Sequence, residues 1–301
     1  MFSIVIHAGA GSVKRSETTP IQEHNYHSGL RAALEKGYKL LESGKSAMDA
    51  VEAAVIALED NPLFNAGRGS EFTADGTHEM DAAVMCGKTL KSGAISAATG
   101  VRNPIQLARR VFETSELVFL TGTGAMDFAR RAELPFEDDT YFYTEERYKK
   151  WQKAKEQESH KVGKDTVGAV AMDVFGNLAT ATSTGGLTNK RPGRVGDTPS
   201  IGAGTYANNA TCAVSCTGDG EYFVRLVSAY DLSCLIEYKG LTLQQACNVV
   251  IKDKLTALGG EGGLIAVDRY GNLEMASNCE SMLRAWRDSS GSQGSAVWDN
   301  Q

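Results

Sequence analysis

KDTVGAVAMDVFGNLATATSTGG, residues 164–186, reads as two apolar strands folded about a five-residue turn. The strands are Thr166–Met172 and Leu178–Ser183, and the turn is Asp173–Asn177. Its D-x-x-G-N pattern fits a turn whose glycine takes positive φ. The pattern returns near the end of the chain. There Leu264–Val267 and Leu273–Ala276 flank Asp268–Asn272, again D-x-x-G-N. Two such hairpins predict either two stacked sheets or an internal pairing within one sheet.

Working outward, Phe2–His7 reads as a buried strand ending in a small-residue loop, His7–Gly11. Tyr26, Leu30, Ala33, Leu34, Gly37 and Leu41 recur at helical spacing, with Gly44 as a stop. Ser46 followed by Asp49 opens a second helix, with Val51, Val55 and Leu58 on one face. Strand-like runs follow at Ser70–Thr73, Met80–Cys86, Gly93–Ala98 and Leu117–Thr121. Helices are predicted over Pro104–Thr114, Ala125–Ala132, Glu221–Lys239 and Thr242–Leu258. The order helices, strands, helices, strands favours a layered α+β sandwich over a doubly wound parallel sheet.

Residues 145–165 differ from the rest. Glu145–Lys161 is charged and contains no Val, Ile or Leu, so it reads as a solvated helix grading into a mobile linker, a place where chain cleavage is tolerated. It ends just before Thr166. A threonine in mid-chain is a poor nucleophile. At a new N-terminus it carries its own base, an α-amine with a pKa of about 8. The bond between Asp165 and Thr166 is therefore the candidate cleavage site, and Thr166 the candidate nucleophile.

Three clusters follow. Ala181–Gly186 ends the return strand, so an antiparallel partner brings Thr184 back beside Thr166 to orient its hydroxyl. Arg194 and Asp197 lie in a glycine-bounded loop. An arginine grips a carboxylate and an aspartate holds an ammonium, so the pair suits the head of a free amino acid. The same spacing also allows a surface salt bridge between them, worth at most about 1 kcal/mol. Cys216–Glu221 sits at a strand-to-helix junction, where backbone N–H groups and the Thr217 hydroxyl can stabilise an oxyanion.

Taken together, DTVGAVAMD (165–173), ATSTGGLTNK (181–190), GRVGDTPSIGAG (193–204) and SCTGDGE (215–221) resemble the plant-type asparaginases. This family, also called isoaspartyl aminopeptidases or β-aspartyl peptidases, belongs to the N-terminal nucleophile hydrolases. HAGAG (7–11) and LEDNPLFNAGRG (58–69) extend the likeness upstream, and ANNATCAVSC (207–216) is closest to the bacterial branch.

The resemblance implies a four-layer αββα sandwich formed by residues 1–301 as a single domain. It implies a precursor that cuts itself into an α subunit, 1–165, and a β subunit, 166–301, with Thr166 as nucleophile and Thr184 orienting it. Thr217 and Gly218 match the oxyanion pair, and Arg194 and Asp197 match the residues holding the substrate's α-carboxylate and α-amine. Asn65 matches an active-site asparagine. The loop of Leu58, Glu59, Asn61, Phe64, Ala66 and Arg68 matches one that wraps a sodium ion with backbone carbonyls. Two αβ units are expected to pair into a dimer of heterodimers. Expected substrates are L-asparagine and β-aspartyl dipeptides, with release of L-aspartate and no organic cofactor.

Departures are visible. Asp165 stands where nearest relatives have glycine, and Asp-Thr is the junction of the related aspartylglucosaminidases, so hydrolysis of sugar-linked asparagine is the alternative reading. A scaffold that never matures is a third. The linker looks shorter than in bacterial relatives, Ala8 replaces a glycine, and Asp219 brings an extra carboxylate beside Gly218.

Composition bounds the rest. The chain has 301 residues, 42% apolar and 23% charged, as soluble globular proteins do. Net charge is −6, with no basic patch dense enough for nucleic acid. No 18-residue apolar stretch spans a membrane, and Lys14 and Arg15 close the apolar start too early for a signal peptide. Six cysteines without a CxxC read as reduced thiols in a cytoplasmic protein, with disulfides or a zinc site as alternatives. Neither phosphate-loop nor dinucleotide fingerprint is present.

Overall fold

The computed structural model describes residues 1–114, 116–157 and 165–299. From the N-terminus come β1 (Ser3–Ala10), α1 (Pro20–Glu42), α2 (Ala47–Glu59), β2 (Met80–Cys86), β3 (Ser92–Ala98) and α3 (Pro104–Thr114). There follow β4 (Phe119–Thr121), α4 (Gly122–Arg131), α5 (Asp139–Phe142) and α6 (Glu145–Glu156). Past Thr166 lie β5 (Val167–Met172), β6 (Leu178–Thr184), β7 (Thr205–Ala207), β8 (Cys212–Gly218), α7 (Gly220–Leu226), α8 (Ser228–Lys239) and α9 (Leu243–Asn248). The chain closes with β9 (Gly262–Asp268), β10 (Leu273–Ser277), β11 (Ser281–Asp288) and β12 (Gln293–Trp298).

Eight strands form one sheet in the order β12-β11-β1-β5-β6-β2-β3-β4, and β10-β9-β8-β7 form a second. The two D-x-x-G-N hairpins therefore belong to different sheets, which stack. Their turns are built alike. Asp173 Oδ1 accepts the N–H groups of Phe175 and Asn177, and Asp268 Oδ1 those of Tyr270 and Asn272. Gly176 and Gly271 supply the positive φ that the turns demand, +76° and +85°.

Side-chain alternation makes four layers. In β5, Val167, Ala169 and Ala171 face α1–α3, whereas Val170 and Met172 face the second sheet. In β9, Ile265 and Val267 meet them there, while Leu264 and Ala266 point outward. That outer face packs against Phe223, Leu232, Val250, Ile251 and Leu255. Strands covered on both faces read as unbroken apolar runs, which is why β5 and β9 lack an obvious polar face. The αββα order is the predicted one.

Local chemistry explains the helices. Thr19 and Gln22 form a reciprocal capping box before Pro20. The Ser46 hydroxyl accepts the Asp49 N–H and opens α2. Close packing of α1 on α2 and β1 needs Gly37. A Cβ there would lie 2.5 Å from Ile4 Cδ1 and 2.7 Å from the Ala50 carbonyl.

Several expectations change. His7–Ala10 is not a loop but the end of β1, with a register shift against β11 between His7 and Ala10. Ser70–Thr73 is not a strand beyond one bridge from Thr73 to Lys190, because the Glu71 N–H is taken by the Asn65 side chain. The helix expected at Glu221–Lys239 breaks at Val227, which has φ +50°. After α9 the chain widens into a π-helical stretch, Val249–Leu255.

The largest correction concerns residues 145–165. Residues 145–156 form the expected helix, solvated along Glu145, Lys149, Lys153 and Lys155 but docked by charge on its other side. Arg147 and Lys150 both donate to the fully buried Glu71 carboxylate, and Arg147 also reaches the Leu63 carbonyl. Trp151 and Tyr148 pack on Phe72. Within the expected mobile linker, residues 158–164 lie outside the described residues.

Candidate active site

Thr166 precedes β5, and the β5–β6 register places Val167 opposite Ser183. One step on, Thr166 therefore faces Thr184. The Thr166 hydroxyl donates to Thr184 Oγ at 3.2 Å, and Thr184 donates to the carbonyl of Asp165 at 3.1 Å. The peptide bond between Asp165 and Thr166 is intact here. Asn65 Nδ2 donates to the same Asp165 carbonyl at 2.8 Å and to the Gly186 carbonyl at 2.7 Å. Its Oδ1 accepts the Glu71 N–H at 3.0 Å, so the amide is locked in one orientation. The carbonyl before Thr166 thus receives two side-chain donors, and the hydroxyl after it points into a relay ending on that same carbonyl.

This bond is not exposed, as tolerance of cleavage predicted. Thr166 is 5% exposed. Burial raises the Asp165 pKa, opposed by Lys150 and Arg147. The Asp165 side chain fills the space left by Gly9, where a Cβ would stand 2.2 Å from its Oδ1.

Beneath Thr166 runs a chain of buried polar groups. His7 Nε2 and Ser215 Oγ are 2.8 Å apart, Ser215 meets the Thr182 hydroxyl at 2.8 Å, and Thr205 donates to Thr182 and lies 3.0 Å from the Thr198 carbonyl. Burial pushes the His7 pKa down to about 3, so its ring is neutral.

Arg194 and Asp197 form the second half of the site. They do not make the simple surface salt bridge that their spacing allowed, since Arg194 Nε donates to Glu221 at 3.0 Å. Asp197 is buried, and its Oδ2 has no hydrogen-bond partner. Burial pushes its pKa up to about 7, with Arg194 pulling the other way. The two side chains converge on Gly220. A Cβ there would lie 2.7 Å from Asp197 Oδ1 and 3.1 Å from Arg194 Nη2.

The Thr217 hydroxyl is likewise buried without a partner, and Gly218 ends β8 at φ +137°. Gly218 joins Thr166, Thr184, Arg194 and Asp197 around one cavity of only about 10 Å³. That is room for about one water molecule. Asp197 and Thr198, which line this cavity, each carry a buried polar atom without a hydrogen-bond partner, and such atoms mark a place where a ligand's polar atoms belong.

A family model described as asparaginase matches residues 1–297. The chain belongs to this asparaginase family. It is 50% identical over 296 residues to an isoaspartyl peptidase of Escherichia coli strain K12, covering 94% of this chain and 92% of that one. A plant-type L-asparaginase of Pyrococcus abyssi is 43% identical, covering 95% and 96%. A probable isoaspartyl peptidase/L-asparaginase of Arabidopsis thaliana is 39% identical over 99% of both chains. The fold and the enzyme class expected from the motifs are those of this family, which is one of N-terminal nucleophile hydrolases.

In this asparaginase-family chain the loop from Leu58 to Arg68 leaves α2 and carries Asn65. Its oxygens fit a hard cation such as sodium. Glycines at 67 and 69 keep the carbonyls clear, since a Cβ on Gly69 would lie 2.1 Å from the Phe64 oxygen and one on Gly67 2.6 Å from the Glu59 oxygen. The Asn61, Phe64 and Ala66 carbonyls each accept one backbone N–H, leaving a second lone pair, whereas the Leu58 carbonyl takes those of Asp60 and Asn61. The Glu59 side chain has another task. It is buried, pushed up to about pKa 8 by burial, and accepts from Ser183, next to Thr184. Among the described residues no cluster of three His, Cys, Asp or Glu side chains forms a metal site.

Sequence reasoning missed Glu71, Lys190 and Gly220. Lys190 and Gly220 lie inside motifs it quoted. Glu71 offered no signal, because its partner Arg147 is 76 residues away.

Proposed function

We propose that this chain is the precursor of an amidohydrolase that frees Thr166 and then uses it on β-aspartyl amides, both L-asparagine and β-aspartyl dipeptides. The relay Thr166–Thr184–Asp165 carbonyl is the observation that carries this reading. Thr166 Oγ attacks the Asp165 carbonyl carbon while its proton passes to Thr184, whose own proton moves to the carbonyl oxygen. Asn65 Nδ2 steadies the negative charge gathering there. The C–N bond breaks, the Thr166 nitrogen takes the proton, and the acyl group rests as an ester on Thr166 Oγ. Water hydrolyses the ester, leaving 1–165 ending in a carboxylate and 166–301 beginning with an amine.

Thr166 then holds nucleophile and base in one residue. Arg194 pairs with the substrate's α-carboxylate and Asp197 with its α-ammonium, which fixes the β-carbonyl near Thr166 Oγ. The Thr217 hydroxyl and the Gly218 N–H donate hydrogen bonds to the oxyanion. Ammonia or an amino acid departs with the proton taken by the Thr166 amine. Water, activated by the same amine, releases L-aspartate.

The names of the relatives support isoaspartyl peptidase and asparaginase activity and lend nothing to the sugar-linked alternative. Sodium, held by the carbonyls of Leu58, Glu59, Asn61, Phe64, Ala66 and Arg68, would stiffen the loop that presents Asn65. Two αβ units pairing as a dimer of heterodimers remains the assembly the resemblance implies. Six free cysteines suit the cytoplasm. The test is hydrolysis of β-aspartyl-leucine against α-aspartyl-leucine by the matured protein. Cleavage of the β isomer with release of aspartate is expected. Cleavage of neither, or of the α isomer alone, would refute the reading.

A further inference from the structure

A larger cavity of about 880 Å³ adjoins the nucleophile's, within the range of about 300–1,000 Å³ usual for small-molecule sites. The two share Leu187 and Arg194 as a common wall. Lys190, Tyr222 and the exposed Arg191 and Arg225 also line it.

The charge in this cavity is unevenly used. Arg194 is engaged with Glu221, and Asp219 Oδ2 accepts the Glu261 N–H at 3.1 Å. Among the described residues, Lys190, Arg191 and Arg225 make no ion pair. Lys190 is 1% exposed, and its ammonium donates to the Glu79 carbonyl at 2.7 Å. A Cβ on Gly186 would stand 3.1 Å from that ammonium, and Gly186 lines the nucleophile's cavity. A buried cation therefore backs the boundary between the two spaces. Arg225 lies over the Tyr222 ring at 5.4 Å, a contact that steers the guanidinium without neutralising it.

The carboxylates of Asp219, Glu221 and Glu261 also line the cavity, against the four cations Lys190, Arg191, Arg194 and Arg225, so the wall carries one excess positive charge and suits an anion. If Arg194 and Asp197 hold the aspartyl half, the scissile C–N bond is where a substrate leaves the small cavity. L-Asparagine ends there with an amide nitrogen. A β-aspartyl dipeptide continues into an amino acid whose carboxylate is attached to the next carbon. We propose that the larger cavity seats this leaving residue and that Arg191 and Arg225 bind its α-carboxylate. The inference rests on the β-aspartyl reading above, and it makes a dipeptide the better-matched substrate.

The experiment compares kcat/KM for β-aspartyl-leucine and its C-terminal amide, using the self-cleaved wild type and the Arg191→Gln/Arg225→Gln double variant. The wild type should favour the free acid by about tenfold or more, the worth of a hydrogen bond to a charged group. The double variant should bring the ratio close to one. Equal rates on acid and amide by an active wild type would overturn the carboxylate site, as would a double variant that keeps the wild-type ratio. A wild type that cleaves no β-aspartyl compound would instead bring down the reading beneath it, and this inference with it.

Discussion

Thr166 Oγ lies 3.2 Å from Thr184 Oγ, and Thr184 in turn donates to the carbonyl of the residue just before Thr166. A hydroxyl and the peptide carbonyl that it must attack are thereby joined through one intervening side chain. Removing that link should stall maturation. Thr184→Ala leaves the carbonyl with Asn65 as its single side-chain donor, and loss of one oxyanion-type donor costs about 10²–10³ in rate. A gel or mass time course after refolding should show Thr184→Ala as full-length chain long after the wild type has split. Thr184→Ser, which keeps the hydroxyl, should still split.

Gly220 separates the two halves of the site. A Cβ there would crowd Asp197 Oδ1 and Arg194 Nη2, and its three nearest atoms belong to Asp197 and Arg194 rather than to the Asp165–Thr166 bond. Gly220→Ala should therefore raise KM for β-aspartyl-leucine at least tenfold while self-cleavage keeps its wild-type rate. Slowing of both together would show that the two halves are not separable.

Asp197 sets a pH limit. Burial raises its folded pKa to about 7, so the carboxyl is neutral below that pH and ionised above it. An ammonium substrate needs the ionised form. The Thr166 amine, of pKa about 8, must also be free, so the acid limb of kcat/KM should fall about tenfold per pH unit below about 8 and about a hundredfold per unit below about 7. The limb for kcat should lie lower, because bound ammonium favours the carboxylate. Asp197→Asn should lose the steeper part of the limb, below about pH 7, along with most of the substrate affinity.

How much of this was legible in the sequence depends on distance along the chain. Thr166 and Thr184 meet within one hairpin, whose D-x-x-G-N turn and apolar strands specify their own register, so the pair could be read directly. The end of α1 and the start of α2 were legible for the same reason, since Gly44 and Ser46 act on neighbours three or four residues away, whereas the capping box at Thr19 that opens α1 went unread. Glu71 and Arg147 were not. Each looks like a surface charge until the fold buries both, and α6 accordingly read as a solvated helix. The break at Val227 was also hidden, because a β-branched residue is a poor candidate for left-handed backbone. Asn65 came from family likeness, not from its surroundings, which only the fold supplies.

That buried pair yields a stability prediction. Burial alone would raise the Glu71 pKa, but Arg147 and Lys150 outweigh it and hold the carboxyl below its ordinary value of 4.5. A depressed pKa adds stability above about pH 4.5 that is lost as the pH falls. Arg147→Met should lower stability by about 3 kcal/mol at neutral pH, the lower end for breaking a buried pair because Lys150 remains. The loss should shrink on acidification. Thermal melts of both proteins from pH 7 down to about pH 3 check this, and a gap as wide at pH 3 as at pH 7 would contradict it.

The most direct measurement is the intact mass of fully active protein, with N-terminal sequencing of each species. Two chains are expected, one ending at Asp165 and one beginning with Thr166. A single unbroken chain of 301 residues that hydrolyses β-aspartyl-leucine at the full rate would contradict the account, because its Thr166 would have no amine to serve as base.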